Sequence, residues 1–325
     1  MAKTEDKNQY SGRGLHNSAL YHSLKDEDGN LKGLLEIVKN DGDLVLQIRD
    51  EYVNIYYKGG NLAKIKSENS IQFDENYFNR ETDKVKREKA KITDCRNEKN
   101  ELLEKLKKSR DYKTYVSEMK PLMEEYWDWL KKERKTELKE KDMQHSLCIN
   151  NTEKDTYTVI DLEFQISKIS DYKYVKPIRP KGRYRNDEKI SPRFDIVAVR
   201  NSDKQLCVIE LKCGTGALLG KSGLGDHADS FEGTIKRNPT PFVVEIKNII
   251  QDKIDLELLS EGFSINGKDP EFLFAFVTKD NDKDENGIIR SKEEQIQIMK
   301  DEIVRQKCSD YKVLFLKDDG KFRLE

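Results

Sequence analysis

The chain carries little that would assign it to a simple class. Its 325 residues sum to a net charge of −1 from 60 basic and 61 acidic side chains, which excludes a uniformly basic nucleic-acid coat and confines any nucleic-acid site to a local patch. No apolar run approaches the ~18 residues that span a bilayer, and Met1 to Tyr10 lacks the apolar stretch of a secretory signal. A soluble, cytoplasmic chain with no membrane partner is expected. The five cysteines, Cys95, Cys148, Cys207, Cys213 and Cys308, are odd in number, scattered and without a Cys-x-x-Cys pair, so neither a disulfide framework nor a zinc knuckle fits. His16, His22 and His145 form no ligand spacing. Apolar residues make up only 35% of the chain and charged residues 37%, against roughly 45–50% and ~25% in ordinary domains. Because the charges cancel, and because 14 Tyr and 12 Phe supply packing groups, the expectation is a folded chain with one highly charged helical part.

Three regions are expected. Residues 1–77 hold a loose polar leader, to about residue 30, and then a small β-meander. Its short β-prone runs are Gly33 to Lys39, Leu44 to Arg49, Val53 to Lys58 and Leu62 to Lys66, and its turns include Asn40-Asp41-Gly42-Asp43 and Gly59-Gly60-Asn61. Residues 78–147 form a charged helical hairpin or arm. Between Arg80 and Asp142, 36 of 63 residues are charged and nothing breaks a helix until Pro121. Val85, Ile92, Cys95, Leu102 and Leu106 make one narrow stripe, and Leu122, Met123, Tyr126, Trp127 and Leu130 begin another. Such an arm suits a homodimer, a protein partner or a DNA clamp, although its heptads are irregular for a coiled coil; helices packed on their own domain are the alternative.

Residues 148–325 read as mixed α/β. Strands are expected at Val159 to Ile166, Phe194 to Arg200, Leu206 to Lys212, Phe272 to Thr278 and Lys312 to Leu316. Helices are expected at Pro241 to Leu259, with an early proline, and at Ser291 to Gln306, where Ser291 caps ahead of Glu293 and Glu294. One sheet flanked by helices follows.

The densest chemistry lies in two β-prone runs, Phe194-Asp195-Ile196-Val197-Ala198-Val199 and Leu206-Cys207-Val208-Ile209-Glu210-Leu211-Lys212, joined by the polar turn Asn201-Ser202-Asp203-Lys204. An antiparallel hairpin brings Asp195 and Glu210 to the same end. Glu210 and Lys212 then share one face, with Ile209 and Leu211 on the other. Two carboxylates beside an ammonium are costly to bury unless a divalent cation compensates them, and hard oxygen ligands favour Mg²⁺.

Asp195, fourteen intervening residues and then Glu210-Leu211-Lys212 on consecutive strands resembles the PD-(D/E)XK nuclease superfamily, over roughly residues 157 to 325. Pro192 stands three residues before the aspartate instead of directly before it. The resemblance implies a restriction-endonuclease-like mixed sheet flanked by helices and a Mg²⁺-dependent phosphodiester hydrolase, with Mn²⁺ as a substitute. DNA is implied as substrate ahead of RNA, in defence against foreign DNA or in repair. It further implies that Asp195 and Glu210 bind the metal, that the Leu211 carbonyl adds a ligand, that Lys212 orients or activates water, and that Glu163, from the alternating run Val159 to Ile166, completes the site.

Arg179, Lys181, Arg183 and Arg185 surround Tyr184 on a proline- and glycine-bearing stretch that suits phosphate contacts beside the metal. Under the nuclease reading Lys221 lies near phosphate and His227 stands behind the metal ligands. A second Glu-x-Lys, Glu245-Ile246-Lys247, sits in a run of helical period and is a decoy. The rival motif is Gly214 to Ser222, which looks like a phosphate-binding loop with Asp280 as its magnesium acid. Its spacing fails, because the position that requires glycine, separated from Gly220 by four residues, is Thr215, and Gly223 and Gly225 would weaken the helix that should follow. A nucleotide hydrolase on that loop and a non-catalytic interaction protein built on the arm are the alternatives.

Overall fold

The computed structural model describes residues 12–72, 77, 101, 111–134, 139–166, 192–219 and 223–316. Two sheets organise them. The first is the antiparallel meander β1 (Leu44–Ile48), β2 (Val53–Tyr57), β3 (Gly60–Ser67) and β4 (Ser70–Gln72), in chain order. Ahead of it, residues 12–30 are not a loose leader: Leu15, Leu20 and Leu24 are buried, and helix α1 (Ala19–Lys25) is capped by the Ser18 side chain. The run Gly33 to Lys39, expected as a strand, belongs to helix α2 (Lys32–Asn40), which buries Leu34, Leu35 and Val38. Those positions recur at one- and three-residue steps, a spacing that a short apolar run leaves open to either structure until a neighbour selects the helical face.

Helix α3 (Tyr112–Arg134) passes straight through Pro121, so the break expected there does not occur. An interior proline costs about 3 kcal/mol. Against it, Tyr115, Met119, Met123 and Trp127, spaced four apart, are all buried, each worth roughly 1.5–3 kcal/mol. The Tyr115 hydroxyl donates to Leu62 O (2.8 Å), so this part of the charged region packs on the meander instead of projecting. Residues 80–100 and 102–110 of the expected arm lie outside the described residues. Helix α4 (Lys139–Asn150) bridges the sheets: His145 Nε2 bonds to Asp43 O (2.8 Å), while Met143 and Leu147 enter the core of the second sheet.

That second sheet runs β5 (Tyr157–Gln165), β6 (Arg193–Arg200), β7 (Gln205–Cys213), β8 (Glu271–Val277) and β9 (Lys312–Leu316) in chain order. β5, β6 and β7 are antiparallel; β8 and β9 join parallel to β7. Parallel neighbours require crossovers. These are supplied by α5 (Leu224–Phe231), a single π turn (Glu232–Lys236) and α6 (Pro239–Asp255) before β8, and by α7 (Lys292–Arg305) before β9. Ser291 and Glu294 form the capping box of α7. One core lies under α4; the other, containing Phe242, Ile246 and Ile249 of α6 and Met299 of α7, is continuous with the core of the meander. No helix among the described residues is long and apolar enough to cross a membrane.

Candidate active site

The β6–β7 register pairs Ile196 with Ile209 and Val197 with Val208, so one further step puts Asp195 opposite Glu210. The Leu211 N–H donates to Asp195 Oδ2 (2.8 Å) and Gln144 Nε2, from α4, donates to Oδ1 (3.2 Å). On β7, Lys212 Nζ donates to Glu210 Oε1 (2.8 Å), both side chains being buried. Glu210 Oε2 is buried without a well-formed hydrogen bond, and His227 Nδ1 of α5 lies 3.0 Å from it. The hairpin therefore brings Asp195, Glu210, Leu211 and Lys212 together, and α5 adds His227.

Charge is unevenly shared. Burial and then the neighbouring Glu210 carboxylate hold Asp195 well above the usual carboxylate range. Burial pushes Glu210 in the same direction, but His227 and Lys212 outweigh it and bring Glu210 down to about 2. Two acids crowded so that one resists ionising form a site that a divalent cation would relieve.

Glu163 occupies an unusual place. β5 is bulged between Val159 and Asp161, and Glu163 sits at φ +48 between the pairs Leu162↔Ile196 and Phe164↔Phe194, hence opposite Asp195. Leu162 and Ile196 pack in the α4-side core, yet Phe164 and Phe194, two positions on, pack in the other. The strands thus exchange faces at Glu163 and Asp195, which is why Asp195 can meet Gln144 from α4. The expected alternation that placed Asp161, Glu163 and Gln165 on one face fails for this reason. Asp161 is fully buried between Arg13 and Arg49, Gln165 is exposed, and Glu163 is half-buried, 3.5 Å from Arg193. Among the described residues no three His, Cys, Asp or Glu side chains are grouped so as to hold a metal.

The N-terminal segment clamps this bulge. Besides gripping Asp161, Arg49 donates to Leu162 O (2.9 Å) and Arg13 to Gln165 O (3.3 Å), one on each side of Glu163. Neither arginine nor Gln144 stood out in the sequence; what links them to the site is contact across 51 to 152 positions.

Arg179, Lys181, Arg183, Arg185 and Lys221 lie outside the described residues. Just past the end of β5 the Ile166 N–H donates to the carbonyl of Pro192 (3.1 Å), the residue before β6. Of the rival phosphate loop, Thr215–Leu218 is a 3₁₀ turn whose Thr215 hydroxyl donates to Asp282 (2.6 Å), while Asp280 is exposed, 4.0 Å from Lys292. Helix α5 forms despite Gly223 at its cap and Gly225 in its first turn, because Leu224, Ala228 and Phe231 are buried. Glu245 and Lys247 lie on α6, as their periodicity requires. No known protein family, curated protein or solved structure matches this chain.

Proposed function

We propose that the chain is a Mg²⁺-dependent nuclease that hydrolyses phosphodiester bonds, with DNA as its substrate. The observation that carries this reading is the convergence of Asp195 and Glu210 from adjacent strands, with the Lys212 ammonium on the Glu210 carboxylate. The surrounding order supports it: the consecutive strands β6 and β7 that carry the acids are followed by helix α6 and the parallel strand β8, in a mixed sheet with helices.

Asp195, Glu210 and the Leu211 carbonyl would hold the ion, whose charge would relieve the crowding that keeps Asp195 from ionising beside Glu210. When bound, such an ion stabilises charge on a phosphate and makes water a better nucleophile. Lys212 stands on the carboxylate, where its ammonium can orient a water and offset phosphate charge. His227 restrains the second oxygen of Glu210, and Gln144 and the Leu211 N–H fix the rotation of Asp195.

The test is cleavage of plasmid and single-stranded DNA with Mg²⁺, with Mn²⁺ and with EDTA. Asp195→Asn, Glu210→Gln and Lys212→Ala are each expected to lower the rate by about 100-fold or more, and EDTA to abolish it. Cleavage that survives Glu210→Gln and EDTA would defeat the assignment.

A further inference from the structure

A cleft of about 400 Å³ is lined by residues of both sheets and of α3 and α4. Its lining includes the aromatic residues Tyr56 of β2 and Tyr126 and Trp127 of α3, and the polar residues Glu163 of β5 and Lys141 and Gln144 of α4. Gln144 joins the cleft to the site, since its amide nitrogen also donates to Asp195 Oδ1. The Gly59-Gly60 turn at the rim is pressed hard against its surroundings. A Cβ on Gly59 would lie 2.4 Å from Lys141 O, and one on Gly60 2.7 Å from the Trp127 ring, so the walls are held at a set separation.

Resting on the nuclease reading, we infer that this cleft receives a single unpaired nucleotide next to the scissile phosphate, so that the substrate is single-stranded nucleic acid. The volume is at the small end of ligand pockets, about 300–1,000 Å³; it admits one nucleotide unit and excludes a stacked base pair. Aromatic walls bind bases through their π-faces whatever their identity. Tyr126 is presented rigidly for this, stacked on Trp129 and edge-on to Tyr77. The exposed Lys141 supplies a cation at the mouth for the backbone phosphate.

The chain has two tryptophans, Trp127 and Trp129, one lining the cleft and one stacked on its Tyr126 wall, so occupation is readable without turnover. In EDTA, fluorescein-labelled oligodeoxythymidylate is titrated by anisotropy and by tryptophan quenching, beside a duplex of the same length. The single strand is expected to quench the tryptophans and to bind at least tenfold more tightly than the duplex. Tyr126→Ala is expected to weaken single-strand binding about tenfold. Lys141→Glu, at an exposed position, does so severalfold and decides the matter if Tyr126→Ala loses its circular dichroism. Equal affinity for single strand and duplex, no quenching at saturation, or an unchanged single-strand Kd in the folded variants overturns the inference. Metal-dependent cleavage lost in Glu210→Gln together with equal duplex affinity would sink the cleft assignment alone. Selective single-strand binding with cleavage indifferent to Glu210 would sink the nuclease reading and leave the cleft.

Discussion

Asp195 and Glu210 face each other with opposite protonation behaviour, and the sign of each can be measured. Asp195 is raised by burial and by Glu210, so its contribution to stability is full below its ordinary value near 3.8 and is lost as pH rises through the folded value. At neutral pH without divalent cation its charge is a burden. Asp195→Asn should then raise stability by on the order of 1–2 kcal/mol, a gain that shrinks as the scan moves to acid. Glu210 runs the other way. Although burial opposes it, His227 and Lys212 depress it to about 2, so its contribution is present above its ordinary 4.5 and fades as pH falls through about 2. Glu210→Gln leaves Lys212 buried without its partner and should cost about 3–5 kcal/mol at pH 7. Thermal scans of both variants in EDTA check this, and shifts of the same sign in the two would contradict the charge assignment.

At the scale of elements, the site depends on a defect in β5. A regular strand would carry Asp161 and Glu163 side by side on one face; the bulge and the left-handed Glu163 turn the first into the core and leave the second toward the cleft. Such a backbone persists only where its surroundings over-determine it, and here Arg13 and Arg49 bind Asp161 and the carbonyls that flank Glu163. Asp161→Asn removes the counter-charge of two buried guanidinium groups and should cost about 3–5 kcal/mol. A urea midpoint that falls without a change in slope would show this as a loss of folded-state stability, and an unchanged midpoint would rule the clamp out.

Over the whole molecule, the N-terminal meander and the larger sheet are one physical unit. Arg13 and Arg49 neutralise Asp161; the Gln47 amide of β1 donates to Asp161 Oδ1 (3.0 Å), and Lys253 of α6 is buried and donates to Ile160 O (2.5 Å). A fragment of residues 139–325 would keep Asp161 in place while losing both guanidinium groups that satisfy it, a penalty that approaches the lower end of a domain's total stability. That fragment is expected to show no cooperative melt alone and to recover one when produced together with residues 1–138. A sharp, reversible transition in the isolated fragment would refute the coupling.

The strands of both sheets other than β4, and the helices α6 and α7, were legible in the sequence, because period-two and period-3.6 patterns, turn residues and caps are local signals that act within a few residues. The hairpin holding Asp195, Glu210 and Lys212 belongs to that set: a short polar turn between two β-prone runs determines its own register. What local pattern could not convey was decided by contact between distant segments. The short run that became α2 took its form from the surface it covers, and α3 continued through Pro121 because the buried side chains of one face outweigh a missing hydrogen bond. Glu163 left the alternation of its strand because two arginines, 112 and 148 positions away from the neighbouring Asp161, hold the bulge. Gln144 reached Asp195 only once α4 was laid between the sheets. Side-chain type and spacing set which groups could do chemistry; the close packing of one sheet on another set which of them meet.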